Sequence, residues 1–291
     1  MENKAEHKSK YALVTGATSG IGYELAKQAA MDGYNLILVS RDAEQLKAVS
    51  KDFAAFSIEV KCIAKDLSHD NAAMEVYNAV HSLGLTVEVL INNAGQGQYG
   101  KFTETDLKRH REIIKLNVLA PVSLTHYFLK DMLERNEGKI LQLGSEVSKA
   151  PMPLVAVYGA TKAFVLSYTE ALINELKDTN VSMTLLMPGA TDTDFFDKAG
   201  MEDTKVYREG KLDDPEEVAK LAYAALKKGE RRIIGPSGKM HVAMAAVTPD
   251  NVLAEQQRKQ LEPSEKNPED TRQWPTHGAS QEVKVKNAEV E

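Results

Sequence analysis

Tyr158 and Lys162 stand four residues apart in Tyr158-Gly159-Ala160-Thr161-Lys162. Four residues make one helical turn, so phenol and ammonium project from the same face of a helix. A fixed cation favours phenolate, so the pair is expected to lower the phenol's pKa and let it give and take a proton near neutral pH. The alternative is that an amphipathic helix carries the two residues by chance. A second group sits near the start of the chain, in Gly16-Ala17-Thr18-Ser19-Gly20-Ile21-Gly22, between an apolar run and a helix-like stretch. Gly16 can turn sharply, Gly20 lets backbone approach a diphosphate, and Gly22 permits close contact between helix and strand. Thr18, Ser19 and Ile21 lie between them, where the opening helix offers free N–H groups and a favourable dipole to an anion. A tight structural turn would have the same glycines.

A third candidate is Val39-Ser40-Arg41-Asp42. Where a dinucleotide binds, an acidic side chain at this strand tip would hold the adenosine ribose hydroxyls. Ser40 and Arg41 offer a hydroxyl and a guanidinium instead, which suit a 2′-phosphate, so NADP(H) is favoured over NAD(H). The other reading is a solvated arginine, with Asp42 capping a helix.

These residues need a scaffold, and the hydrophobic pattern supplies one. Short β-rich runs fall at 11–15, 35–40, 59–64, 87–92, 139–143, 182–187 and 232–234. Helix-like stretches separate them, among them 21–32, 43–53, 71–83, 157–177 and 216–228. Strict alternation implies right-handed βαβ crossovers and a parallel sheet covered on both faces. Leu36-Ile37-Leu38-Val39, apolar throughout, fits a strand buried on both sides. The expected fold is α/β, a doubly wound parallel sheet of seven strands with helices on both faces. It forms a single domain over 8–250. Asp214-Pro215-Glu216-Glu217 and the stretch 103–106 read as helix starts. The remaining 251–291 reads as an extension, a short helix over 252–261 followed by a tail from 262 too polar to offset its ordering entropy.

Bulk properties narrow the function. The chain has 291 residues, 43% hydrophobic and 27% charged, with a formal net charge of −6. That charge speaks against nucleic acid as a main partner. The single cysteine, Cys62, excludes an internal disulfide and, in its apolar run, reads as a buried structural thiol. No secretory signal or membrane span is expected, and a cytoplasmic location follows from these. The seven histidines never pair at ligand spacing, so no metal site is expected. Gly144-Ser145-Glu146 lacks the Gly-x-Ser-x-Gly elbow of a serine hydrolase.

The chain resembles the classical short-chain dehydrogenase/reductase family, whose motifs occur here in family order: 15–22, Asp66-Leu67, Asn92-Asn93-Ala94-Gly95, Asn117, Ser145, the Tyr158/Lys162 pair, and 188–193. The match spans roughly 8–236 and implies a Rossmann-type sheet binding a nicotinamide dinucleotide. By resemblance, Asp66 accepts the adenine amino group, Leu67 adds a backbone contact, and Asn93, Ala94 and Gly95 line the adenosine ribose. Asn117 opens its helix locally and holds a water that relays protons to the lysine. Ser145, thirteen residues before Tyr158, orients the substrate carbonyl, with Ser148 as its rival. Lys162 holds the nicotinamide ribose and keeps Tyr158 acidic. Pro188 and Gly189 shape the nicotinamide pocket, and Thr191 and Thr193 contact its carboxamide.

The resemblance thus implies NADP(H)-dependent interconversion of a carbonyl and an alcohol on a small to medium, moderately hydrophobic substrate. The segment 194–211, with Phe195, Phe196, Met201 and Tyr207, corresponds to the family's variable lid. Glu146 is unusual beside the serine: facing the pocket it would disfavour anionic substrates, and facing solvent it would mean little. Dimers or tetramers through the helices over 107–132 and 157–177 are implied. Two other readings stay open: a regulator that binds cofactor with little turnover, and an interaction protein that docks a partner through its tail.

Overall fold

The computed structural model describes residues 9–265, so the tail expected from 262 lies almost wholly outside the described residues. Seven strands form one parallel sheet: β1 (Lys10–Thr15), β2 (Asn35–Ser40), β3 (Val60–Ala64), β4 (Thr86–Asn92), β5 (Gly138–Leu143), β6 (Val181–Met187) and β7 (Arg232–Ile234). Their order is β3-β2-β1-β4-β5-β6-β7. Chain direction across the sheet therefore reverses between β1 and β4, and a crevice opens beyond the carboxyl ends of those two strands.

Each strand sends alternate side chains to opposite faces. Ala12 and Val14 of β1, with Leu36 and Leu38 of β2, pack under α1 (Gly20–Met31), α2 (Ala43–Asp52) and α9 (Pro215–Lys228). Tyr11 and Leu13, with Ile37 and Val39, pack on the other face against α3 (Ala72–Ser82), α5 (Ala120–Arg135) and α6 (Ala156–Glu175). Between α4 (Leu107–Ile114) and α5 the chain makes a π turn over Lys115–Leu119. The lid carries two short helices, α7 (Phe195–Ala199) and α8 (Lys205–Arg208), and the described chain closes with α10 (Gly238–Ala245) and α11 (Asp250–Leu261).

Local signals set several boundaries. Asp42 caps α2 by accepting from the Glu44 and Gln45 amides at 2.9 and 3.0 Å. Asp106 caps α4 through the Lys108 amide, and Asp214 caps α9 ahead of Pro215. One expectation fails. Cys62 is exposed, because β3 is an edge strand with a single neighbour and its residues are at most half-buried. The helix expected over 252–261 lies within α11, which begins at the boundary drawn at 250 and packs on the rest of the domain. Leu261 of α11 is buried with Met152, Val155, Phe196 and Met201, Tyr99 donates to its carbonyl at 2.8 Å, and the Glu262 carbonyl accepts from the Lys205 amide. Among the described residues no helix is long and apolar enough to cross a membrane.

Candidate active site

The crevice between β1 and β4 is held open by a small polar lock. Thr15 Oγ1, at the end of β1, accepts from the Asn93 and Ala94 amides at 3.0 Å each. Asn93 Nδ2 donates back to the Thr15 and Gly16 carbonyls at 3.0 and 3.1 Å. Asn93 therefore braces the switch point more than it points outward, as an amide side chain does where a strand stops.

The glycine-rich turn leaves β1 with Gly16 at φ +66° and Gly20 at φ +55°, conformations that side chains strain. A Cβ on Gly22 would lie 2.2 Å from both the Gly16 carbonyl and Asn93 Nδ2. A Cβ on Gly20 would lie 2.7 Å from Thr193. The turn thus nests against β4 on one side and the 188–193 loop on the other. Ser19 at the start of α1 makes no side-chain cap, so the first amides of that helix keep the free N–H groups an anion needs. Gly16, Thr18, Ser19, Gly20, Ile21 and Gly22 all line one cavity of about 1040 Å³.

Ser40 and Arg41 border the same cavity at the tip of β2, with Ser40 Oγ 3.4 Å from Thr18 Oγ1. Asp42 is engaged as the α2 cap. Further along, Asp66 accepts from the Ser68 amide and hydroxyl at 2.9 and 2.7 Å, both on Oδ1. Partial burial opposes its ionisation, but those bonds, together with the electrostatic effect of His69 and Arg41, outweigh burial and lower its pKa. Leu67 is buried beneath this turn. Ala94 and Gly95 continue the wall; a Cβ on Gly95 would sit about equally far from Asn117 Oδ1 and Lys162 Nζ, 3.4 and 3.5 Å.

The chemical groups meet at the far end. Ser145, in the turn after β5, borders the same cavity as Tyr158 and favours ionisation of its phenol. Its amide donates to Ser148 Oγ at 3.1 Å, and its own Oγ accepts from the Val147 amide at 3.3 Å. Ser148 is buried and braces this turn, and of the two serines Ser145 is the one that borders the cavity. Lys162 is only 4% exposed, and its Nζ donates to the Leu143 carbonyl at 2.7 Å. That Nζ lies 5.8 Å from the centre of the Tyr158 ring.

The lowered phenol pKa expected from the pair is not found. Burial pushes Tyr158 up to about 12; the neighbouring Ser145 only partly offsets this, and the Glu146 charge adds to it. Burial likewise lowers Lys162 to about 8. Desolvation is the largest influence on both members, so the Tyr158 phenol favours its protonated form.

Asn117 falls inside the π turn, where an extra residue loosens the helix as the resemblance implies. Its Oδ1 accepts from the Gln96 amide at 2.9 Å, and its Nδ2 donates to the Gln96 carbonyl and Thr161 Oγ1 at 2.9 and 3.0 Å. The side chain thus ties the turn after β4 to α6, the helix of Tyr158 and Lys162. Pro188, Gly189, Thr191 and Thr193 line the cavity opposite. Thr191 Oγ1 donates to the Gly189 carbonyl at 2.9 Å, which shapes the loop from within.

Several contributors were not legible in the sequence. Asp213 is buried and accepts from the Ser237 hydroxyl at 2.9 Å, joining the lid's exit to the start of α10. Met240, His241 and Met244 of α10, and Leu253, Gln256, Gln257 and Gln260 of α11, wall the cavity. The α11 residues share one helical face by spacing, which is a weak signal because the same spacing serves ordinary packing. Among the described residues no group of three or more His, Cys, Asp or Glu side chains is placed to hold a metal ion.

The whole arrangement has counterparts. A very-long-chain 3-oxoacyl-CoA reductase of Coccidioides immitis (strain RS) is 37% identical over 186 residues, covering 62% of this chain and 53% of that one. The chain spans about half the length of the relatives of this kind that it matches. A solved 7beta-hydroxysteroid dehydrogenase superposes with a TM-score of 0.78 at 25% identity, covering 88% of this chain and 99% of that one. A short-chain dehydrogenase from Sphingobium yanoikuyae, solved in complex with NADPH, gives 0.74 at 28% identity, with 89% and 98% covered. The model of the short chain dehydrogenase family matches residues 10–204, from β1 through the lid, and with the strand order and the Ser145–Tyr158–Lys162 grouping in place the chain belongs to that family.

Proposed function

We propose that this protein is an NADP(H)-dependent oxidoreductase that reduces a carbonyl to an alcohol on a hydrophobic substrate, with a 3-oxoacyl thioester as the first candidate. One observation carries the reading: a hydroxyl pair, Ser145 and Tyr158, with a buried lysine behind it, shares a cavity with an anion-ready glycine turn and an apolar lid. The thioester is suggested by the relatives' names, and bulky ketones by the hydroxysteroid enzyme.

The glycine cradle fits a dinucleotide diphosphate, because added Cβ atoms would collide with its walls. Ser40 and Arg41 would take a 2′-phosphate, Asp66 and Leu67 the adenine, and Asn93, Ala94 and Gly95 the adenosine ribose. Lys162 would take the nicotinamide ribose, and Pro188, Gly189, Thr191 and Thr193 the carboxamide. The nicotinamide, when bound, supplies hydride chemistry. The chain's own part is positional and acid–base. Ser145 donates to the carbonyl oxygen and stabilises the charge that builds there. Tyr158, held protonated by burial, delivers the proton to that oxygen. Asn117 keeps α6 in register with the turn after β4 and would hold the water through which the proton is replaced. Met152, Phe195, Phe196, Met201 and Leu261 exclude bulk water around the reacting carbon.

Self-association belongs to the same reading. Leu107, Ile114 and Leu119 on the α4–α5 segment and Phe164 on α6 are large apolar side chains left exposed. Sedimentation velocity reads the state directly; a monomer at micromolar concentration would remove this part.

The test is NADPH oxidation against 3-oxoacyl-CoA of graded chain length and a panel of bulky ketones, with Tyr158→Phe alongside. Turnover should fall by about 10²–10⁴-fold in the variant while NADPH still binds. Undiminished turnover in Tyr158→Phe, or an inert panel with the parent protein, would refute the assignment.

A further inference from the structure

Glu146 directly follows Ser145 and lines the cavity beside Ser145, Tyr158 and His241. The residue is held from three sides. Its amide donates to the Pro188 carbonyl at 2.8 Å, its Cβ packs against Gly238, and its Oε2 lies 2.8 Å from His241 Nδ1 on α10. The carboxylate side chain is 11% exposed, whereas its imidazole partner is 64% exposed. Its charge is felt at the reacting centre, since it helps hold the proton on Tyr158.

Among the described residues Glu146 pairs with His241 and with none of the other cations lining this end, Lys162, Arg109, Lys198 and Lys211. Lys162 is bonded to the Leu143 carbonyl. Arg109 is paired with Glu112, and Lys198 with Asp194.

Resting on the reductase reading of the same site, we infer that Glu146 is a specificity-determining residue that admits carbonyl compounds neutral around the ketone and rejects those with a free carboxylate beside it. A 2-oxo or 3-oxo acid with its ketone between Ser145 and Tyr158 would bring a second anion next to a nearly buried first one. Like charges at short range in a poorly hydrated cavity repel strongly. An ester, a thioester, an amide or a ring ketone has no charge at that point. The preferred substrate class is therefore an oxo compound whose acid group is masked or absent, and His241 fixes the carboxylate's position at the cavity wall.

The experiment measures octanoate and octanamide binding to the full chain loaded with NADPH, by calorimetry at neutral pH, for the parent protein, Glu146→Gln and Glu146→Ala. The parent should favour the amide by about tenfold or more, and both variants should shrink that ratio by at least about fivefold. Two variants are used so that a folding failure in one leaves the other to decide. Equal binding of the two ligands by the parent, an unchanged ratio in a folded variant, or no amide binding at all would overturn the inference. An inert carbonyl panel together with the expected ratio would sink the reductase reading and uphold this one.

Discussion

The two halves of the cavity are built by different means. The cofactor half is made of backbone: Gly16, Gly20 and Gly22 approach β4 and the 188–193 loop so closely that no side chain fits between them. The substrate half is made of side chains from separate segments, with Met152 and Val155 before α6, Phe196 and Met201 in the lid, and Leu261 at the end of α11. A backbone cradle tolerates no added atom, while a side-chain wall can be repacked. On the reading proposed above, the first half would admit a dinucleotide and the second would select the carbonyl compound that reaches it.

The contrast can be broken most severely at Gly22. Gly22→Ala places a methyl 2.2 Å from a backbone carbonyl that has no room to retreat. Such overpacking costs about 1–3 kcal/mol, and NADPH affinity should fall by about 100-fold in a calorimetric titration. Retained affinity would show that the cradle is looser than its geometry.

The pH profile sharpens the chemical end. Lys162 carries its charge below about 8 and loses it above, while Tyr158 keeps its proton up to about 12. kcat/KM for NADPH in the reducing direction should thus be highest below pH 8 and fall as pH rises through it, because that ratio reports the free enzyme. A flat profile between pH 7 and 10 would contradict a working charge on Lys162.

Arg41→Ala tests the cofactor half more gently. Removing a guanidinium from a 2′-phosphate should cost about tenfold in kcat/KM with NADPH and leave the value with NADH nearly unchanged. Equal losses with both would mean that Arg41 does not read the phosphate. The smallest effect on activity belongs to the substrate half. Leu261→Ala leaves a void under the lid that should raise KM for the carbonyl substrate several-fold and lower stability by about 2–4 kcal/mol, with NADPH binding intact. Weakened NADPH binding there would dissolve the distinction between the halves.

Legibility in the sequence followed the same division. Gly16 to Gly22, Ser40 with Arg41, and Tyr158 with Lys162 are short-range patterns, and each was readable because turn geometry and helical spacing are local. Ser145 is preferred to Ser148 on its spacing from Tyr158, and the fold adds that the Ser145 amide donates to Ser148 Oγ. The exposure of Cys62 was hidden because an apolar run does not say whether its strand lies at the centre or the edge of a sheet. Glu146 and His241 are far apart in the chain, and nothing local pairs them.

By itself the sequence determined the alternation of strand and helix, the glycine cradle, and the helical face shared by phenol and amine, since these depend on neighbours within a turn or two. Only the tertiary structure decided the proton's resting place. Whether Tyr158 is made more or less acidic is a contest between attraction and loss of water, and water is excluded by residues gathered from the whole chain. It also decided that α11 closes over the substrate half, because packing against Met152 and Phe196 depends on where distant segments come to lie.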